Sequence, residues 1–323
     1  MPPTPDAARR PWTRLLLASA LGLGLLAWLL RKVDLTPLGS AFAATPLWLW
    51  AVALAGLCLS YALRAERLRR EWGSWFAADA ARGTAPGFVA CLALFLTHNA
   101  AIVVLPLRAG EAGYPLLMQR RFGVPLGDSL RSLLWLRLQD AAVLATLAAL
   151  WLPPFTHEAR LGWAALLALG WALVLLFGAR ALAAISARVP VVQRFESAWL
   201  THRNDRLGWA LCAANWLVKL AVFALVLQAL APLDFAAALR GALGGEVASV
   251  LPLQGPAGLG TYEAGVWAAT RMDGGAAGAA SGAQVAAGAL ALHAFSLAVA
   301  LAAAAMIMPW AKAPRTTLEN KTQ

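Results

Sequence analysis

Two stretches of this chain set a single carboxylate among prolines and glycines inside otherwise apolar sequence. Val104-Leu105-Pro106-Leu107 runs into Arg108-Ala109-Gly110 and then Glu111-Ala112-Gly113. Val250-Leu251-Pro252-Leu253 runs into Gln254-Gly255-Pro256-Ala257-Gly258-Leu259-Gly260-Thr261-Tyr262 and then Glu263-Ala264-Gly265. A helix in lipid tolerates such a break only where the irregular backbone is buried in protein or lines a cavity. Matching Gly/Pro-broken segments in two halves of a membrane protein point to a transport site. Glu111 and Glu263 each open the half-helix that follows the break, and two readings stand for them. Either the carboxylate complements the N-terminal dipole of its helix, or it pairs with a cation or carries a proton beside a substrate path. The glycines of 255–260 resemble a phosphate-cradling loop, but no Gly-Lys-Ser/Thr follows, so this is not a nucleotide loop. Amides around Gly258 and Gly260 at a half-helix start can still receive a lipid phosphate.

Other polar residues fall inside apolar runs. Lys219 lies in the middle of Leu207–Leu230, about 18 Å from the helix start, too deep to snorkel comfortably. Asn215 precedes it by one turn on the same face, and both are expected to face the protein interior rather than lipid. Arg137 and Asp140 are three apart, which suits a local ion pair, although Arg137 has the reach to snorkel instead. His98-Asn99 and His293 sit in apolar helices; a lone histidine there is more often a satisfied bundle residue than a ligand. Glu246 has two candidate partners, Arg240 and Lys219. The expected substrate path therefore draws on Asn99, Arg108, Glu111, Arg137, Asp140, Lys219, Gly258, Gly260 and Glu263. Arg108 and Lys219 would stand nearest an anionic group, with Glu111 and Glu263 holding those cations when the site is empty. Enzyme signatures are missing: no HExxH, no Cys/His metal set, no GxSxG elbow and no paired Asp-rich transferase motif. The expectation is no catalytic residue, no metal and no cofactor.

The elements that would position these residues are membrane helices. The chain has 323 residues, 60% of them hydrophobic and only 13% charged, against about a quarter charged in a soluble domain. Fifteen tryptophans suit interfacial anchoring. The net charge of +11 clusters beside apolar segments, which indicates orientation and anionic lipid rather than nucleic acid. Cys58, Cys91 and Cys212 lie in apolar runs without a CxxC and read as small core residues. Six segments are long enough to span: Leu15–Leu30, Pro46–Leu63, Leu133–Leu152, Leu161–Ser186, Leu207–Leu230 and Gln284–Met308. The first resembles a signal peptide but lacks a cleavage site, so it reads as a retained helix. Arginines crowd 64–84, 120–131 and 188–206, with Lys312, Arg315 and Lys321 after the last span. The positive-inside rule then places both termini in the cytoplasm. Residues 86–119 must cross an even number of times from the inside, and 236–270 an even number from the outside. Pro86–Val103 covers roughly 27 Å as a helix, but its returning arm is too short to span. The expected fold is an all-α polytopic membrane protein with about six full spans and two re-entrant or broken-helix hairpins in an inverted repeat. A single membrane domain would occupy 15–310, between cytoplasmic tails 1–14 and 311–323.

At these residues the chain resembles the membrane region of lysylphosphatidylglycerol synthases, a flippase-like family that includes free-standing bacterial membrane proteins. The family pattern leads from an asparagine-containing helix to Pro-x-Arg-x-Gly-Glu, here Asn99 through Pro106-Leu107-Arg108-Ala109-Gly110-Glu111. An Arg-x-x-Asp helix follows, here Arg137-Leu138-Gln139-Asp140, and later a Gly-Leu-Gly-x-x-Glu, here Gly258 to Glu263. Family members often carry a glutamate where this chain has Leu136, and an arginine in the last helix where it has His293. The resemblance implies movement of a polar-headed lipid, anionic or polyprenyl- or hopanoid-linked, between leaflets of a bacterial inner membrane. It covers no lysyl-transferring domain, so lysyl-lipid synthesis is not implied. The alternative is a non-transporting subunit that scaffolds a lipid or envelope biosynthesis enzyme.

Overall fold

The computed structural model describes residues 45–104, 110–153, 156–187, 205–250, 256–272 and 280–307, with residues 39 and 43. The expected first span Leu15–Leu30, both tails and the two hairpin tips 105–109 and 251–255 lie outside these. Arg108 is among them. Everything described is helical or joins helices, as a lipid environment demands when each backbone N–H and C=O must be satisfied internally.

Five helices are long and apolar enough to cross a membrane among the described residues. They are α1 (Leu47–Ala77), α4 (Leu126–Trp151), α5 (His157–Ser186), α6 (Arg206–Leu230) and α9 (Gly282–Ile307). Between them lie α2 (Phe88–Val104), α3 (Gly113–Phe122), α7 (Phe235–Ala248) and α8 (Thr261–Ala269). The chain is thus a multi-pass membrane protein. Two boundaries differ from the sequence reading. α1 does not end at Leu63 but continues through the arginines to Ala77, because 64–72 is rich in strong helix formers and has no Gly or Pro. α4 starts directly after Pro125, seven residues before Leu133. Asp205 and Asp234 start α6 and α7 by accepting the N–H of Gly208 and Ala237 at 3.1 and 2.7 Å.

Both broken segments are helix hairpins with one long and one short arm. In the first, α2 and α3 are joined through 105–109 and a tight turn at 110–112. That turn folds back on α2: a Cβ at Gly110 would collide with the backbone of Ala101 and Ile102. In the second, α7 and α8 are joined through a turn at Pro256–Gly258. Here Gly244 and Gly265 meet backbone to backbone, and a Cβ on either would strike the other. Small residues at such a crossing are what let two helices approach in a membrane. The second hairpin's turn at Pro256–Gly258 lies against α2, the long arm of the first. α1 and α6 form the central pair, and α9 packs on α2, α6 and α8. Apolar clusters occupy both sides of the bundle, one around Leu57, Phe223, Leu243 and Leu292 and another around Trp72, Leu94, Tyr114 and Met118. Charged side chains collect in the seam between them.

Candidate functional site

The seam is built on one face of α1. Leu57, Ser60, Tyr61, Arg64 and Arg67 recur at three- and four-residue spacing, which stacks them along one side of a helix. Arg67 is 5% exposed and donates from Nη1 to Oδ1 of Asp140 at 2.8 Å. The same Asp140 oxygen accepts from Nε1 of Trp216 at 3.3 Å and from Sγ of Cys212 at 3.4 Å. Arg137 approaches the other oxygen at 3.6 Å but makes its closer pair with Glu111, at 2.8 and 2.9 Å. Nε2 of His98 stands 3.6 Å from Glu111. An acid of the first hairpin is thereby tied through Arg137 to α4, and Asp140 ties α4 to α1 and α6.

One turn earlier on α1, Arg64 projects differently. Its Nε donates to Oδ1 of Asn215 at 3.1 Å, an oxygen that also accepts from Ser60 Oγ at 2.6 Å. Its guanidinium lies over the rings of Trp216 and Phe95, at 5.3 and 5.8 Å. Among the described residues Arg64 has no ion pair with a carboxylate. It forms part of the wall of a cavity of about 150 Å³. Asn99 of α2, Lys219 of α6, Glu246 of α7, Tyr262 of α8 and His293 of α9 share its polar lining with Arg64. All six come from different helices, and both hairpins contribute. Lys219 is thirteen residues past Arg206, about 20 Å along a helix about 37 Å long, which places the cavity near mid-depth.

The lining side chains are partly paired with one another. Nζ of Lys219 donates to Oε2 of Glu246 at 2.7 Å and lies 5.1 Å from the Phe223 ring centroid. Glu263 is fully buried: Oε2 accepts from its own Gly260 N–H at 2.6 Å, and Oε1 lies 2.7 Å from Nδ1 of His293. The Tyr262 ring stacks at 4.5 Å on that imidazole. The Tyr262 hydroxyl is buried and has no hydrogen-bond partner among the described residues, nor has the Asn215 amide nitrogen. A buried polar group left unpaired costs about 1–3 kcal/mol, and Tyr262 lines the cavity, so its hydroxyl is available to a ligand that enters.

The expected residues divide accordingly. Asn99 and Lys219 line the cavity; Glu111, Arg137 and Asp140 form the adjacent charge network; Arg108 lies outside the described residues. Two expectations are corrected. Lys219 is held by Glu246, not by Glu263, because α7 passes beside α6 while Glu263 turns back to cap α8. The Gly260 amide is taken by the Glu263 carboxylate, so it is not open to a phosphate; Gly258 sits in a left-handed turn at φ 78°, where its carbonyl accepts from the Thr261 hydroxyl and its amide is not engaged by that bond. The sequence reading missed Arg64, Arg67 and Tyr262. The two arginines were counted among interfacial loop charges; their three- and four-residue register with Leu57, Ser60 and Tyr61 is the signal that would have placed them inside. Among the described residues no three His, Cys, Asp or Glu side chains gather as a metal-ion ligand set.

Comparison with known proteins agrees with this architecture. None of the curated proteins compared with the chain matches it. The family model for the lysylphosphatidylglycerol synthase TM region matches residues 15–309, nearly the whole chain. With its broken-helix hairpins and buried charge seam, the protein belongs to the family of the lysylphosphatidylglycerol synthase transmembrane region.

Proposed function

We propose that the protein moves a lipid with a phosphate-bearing headgroup between the leaflets of the bacterial inner membrane, passing the headgroup through the cavity beside Arg64. The observation that carries this is Arg64 itself, a guanidinium at mid-bundle with no carboxylate pair among the described residues, facing a cavity that both hairpins line. A charge left unmatched at the bilayer centre costs about 2.5–3.5 kcal/mol on insertion scales. An anionic headgroup would remove that cost, and the planar guanidinium suits phosphate. The cavity of about 150 Å³ has room for roughly five waters at about 30 Å³ each. That is the scale of a headgroup; the acyl chains would stay in the bilayer. Asn99 and the Tyr262 hydroxyl supply neutral donors. An entering phosphate would also compete with Glu246 for Lys219, so the headgroup exchanges one ion pair for another instead of breaking one. No bond in the lipid is made or cut.

The test is transbilayer movement of headgroup-labelled phosphatidylglycerol and polyprenyl phosphate in liposomes containing the purified protein. Arg64→Gln should slow movement at least about tenfold, since hydrogen bonds to a charged group are worth about 1.5–3 kcal/mol. Movement no faster than in protein-free liposomes, for every anionic lipid tried with folded protein, would refute transport. A protein that only scaffolds a biosynthetic enzyme would tolerate Arg64→Gln and would co-purify with that enzyme.

A further inference from the structure

A second cavity lies away from this path. It has a volume of about 180 Å³ and sits between the last turns of α1, the segment carrying Arg82, and the first turns of α4. α1 has 31 residues, about 46 Å against a hydrocarbon core of about 30 Å, so this end of the helix reaches the headgroup zone. Three tryptophans line the cavity, Trp72, Trp75 and Trp135, together with Glu71. Oε2 of Glu71 is buried without a hydrogen-bond partner, and Glu71 makes no ion pair among the described residues. Acids elsewhere at this end have their cations: Glu66 has Arg69 at 2.7 Å and Asp205 has Arg70 at 3.2 Å. Tryptophans that merely anchor a helix at the interface do not require among them a carboxylate with a buried oxygen that has no partner. That combination is how proteins hold organic ammonium ions, by the ring faces and an acid.

Two cations rim the same cavity. Arg82 lies 4.2 Å over the Trp75 ring, which shows that this ring face already accepts a cation, and its ion pair with Asp79 is long, at 3.6 Å. Arg131 is equally loosely paired with Asp128, at 3.5 Å. Neither guanidinium is in a short bidentate pair with a carboxylate; Arg82 is held by a hydrogen bond from Nη1 to the Trp75 carbonyl at 2.7 Å, which leaves its Nη2 to face a phosphate, and Arg131 can turn toward one. We propose that this cavity binds a zwitterionic group, with its ammonium against Glu71 and the tryptophans and its phosphate against Arg82 and Arg131. The chemistry is that of a phosphoethanolamine unit, either the headgroup of an aminophospholipid or the free phosphoester. The site does not depend on transport by the Arg64 cavity.

The proposal is tested by binding titrations on the full chain in nonionic detergent. The probes are dihexanoyl-phosphatidylethanolamine, dihexanoyl-phosphatidylglycerol and free phosphoethanolamine. The ethanolamine lipid should bind more tightly than the glycerol lipid. Glu71→Gln keeps the side-chain shape and should weaken ethanolamine binding about tenfold, the scale of one charge-assisted contact, while leaving glycerol-lipid binding unchanged. Ser74 lines the cavity and is exposed, so Ser74→Trp should block the site sterically without touching the acid. Free phosphoethanolamine binding as tightly as the lipid would assign the site to the soluble phosphoester. Equal binding of the two lipids by the wild type, or ethanolamine-lipid binding unaffected by both substitutions, would overturn the proposal.

Discussion

Asp140 shows how the buried charges earn separate roles. Its Oδ1 meets Arg67, Trp216 and Cys212, and its carboxylate also offsets Arg137. With side-chain exposures of 6% and 8%, the Arg67–Asp140 pair is cut off from solvent, and removing one partner of such a pair costs about 3–5 kcal/mol. Asp140→Asn should therefore lower unfolding stability in detergent by about that amount, whereas Glu66→Gln at the exposed Arg69 pair should change it by less than about 1 kcal/mol. An Asp140→Asn protein as stable as wild type would mean that the pair is not structural. Lys219 and Glu246 invite a different comparison. Lys219→Met strands Glu246, and Glu246→Gln strands Lys219, so each alone should destabilise. The double substitution should recover most of that loss yet remain slow in lipid movement, because the cavity has lost a cation. Full recovery of both stability and movement would leave Lys219 a structural role only. Lys219, Glu246 and Asp140 were legible in the sequence as charges surrounded by apolar residues. Arg64 and Arg67 were not, because they sit where an apolar run gives way to a cluster of arginines, and composition cannot tell a helix continuing inward from a loop beginning. Which carboxylate takes Lys219 was open for the same reason: spacing along one chain does not say how α7 and α8 pass α6.

At the scale of the elements, the broken segments were the readable part. Pro and Gly inside apolar sequence forecast two hairpins with short return arms, and α2/α3 and α7/α8 have that form. The positions that hold each hairpin shut were hidden, since a glycine that permits close approach looks in sequence like one that permits a turn. Gly244 and Gly265 are of the first kind, and the atoms an added Cβ would meet are backbone atoms and alanine Cβ atoms, which cannot rotate away. Gly244→Ala should cost about 1–3 kcal/mol, as overpacking does. Gly73, in the last turns of α1 with nothing near its missing Cβ, provides the contrast. Gly73→Ala should be neutral or stabilising by up to about 1 kcal/mol, through helix propensity alone. The two substitutions add the same methyl group, so melting temperatures measured side by side isolate the packing effect. A Gly244→Ala protein that melts with or above Gly73→Ala would show that the arms separate at little cost and that the hairpin is not clamped there.

For the whole molecule, the arrangement across the membrane follows from where the cations remain once the seam is set aside. Arg64 and Arg67 belong to the interior and carry no vote, but Arg69, Arg70 and Arg82 still lie at the far end of α1, Arg120 and Arg121 lie in the last turn of α3, and Arg131 lies near the start of α4. Past the C-terminal ends of α4 and α6 the segments 152–156 and 231–234 hold one charge between them, Asp234. The positive-inside rule predicts that the arginine-rich side faces the cytoplasm, which would hang the first hairpin from that side and the second from the opposite one. A chain in which exposed Cys58 is replaced by Ala keeps only the buried Cys91 and Cys212, which an impermeant maleimide should not reach. Single cysteines at Thr84 and Pro125, flanking the first hairpin, should then be labelled from the cytoplasmic side. Cysteines at Pro232 and Ser281, flanking the second, should be labelled from the periplasmic side, together with one at His157 beyond α4. α4 is 26 residues long, about 39 Å, so residues 125 and 157 must report opposite faces if it crosses. Labelling of 84 and 125 from different sides would make the first hairpin a full crossing. Labelling of all four hairpin flanks from one side would remove the inversion, and with it the reason for two half-inserted hairpins to meet at a cavity near mid-depth.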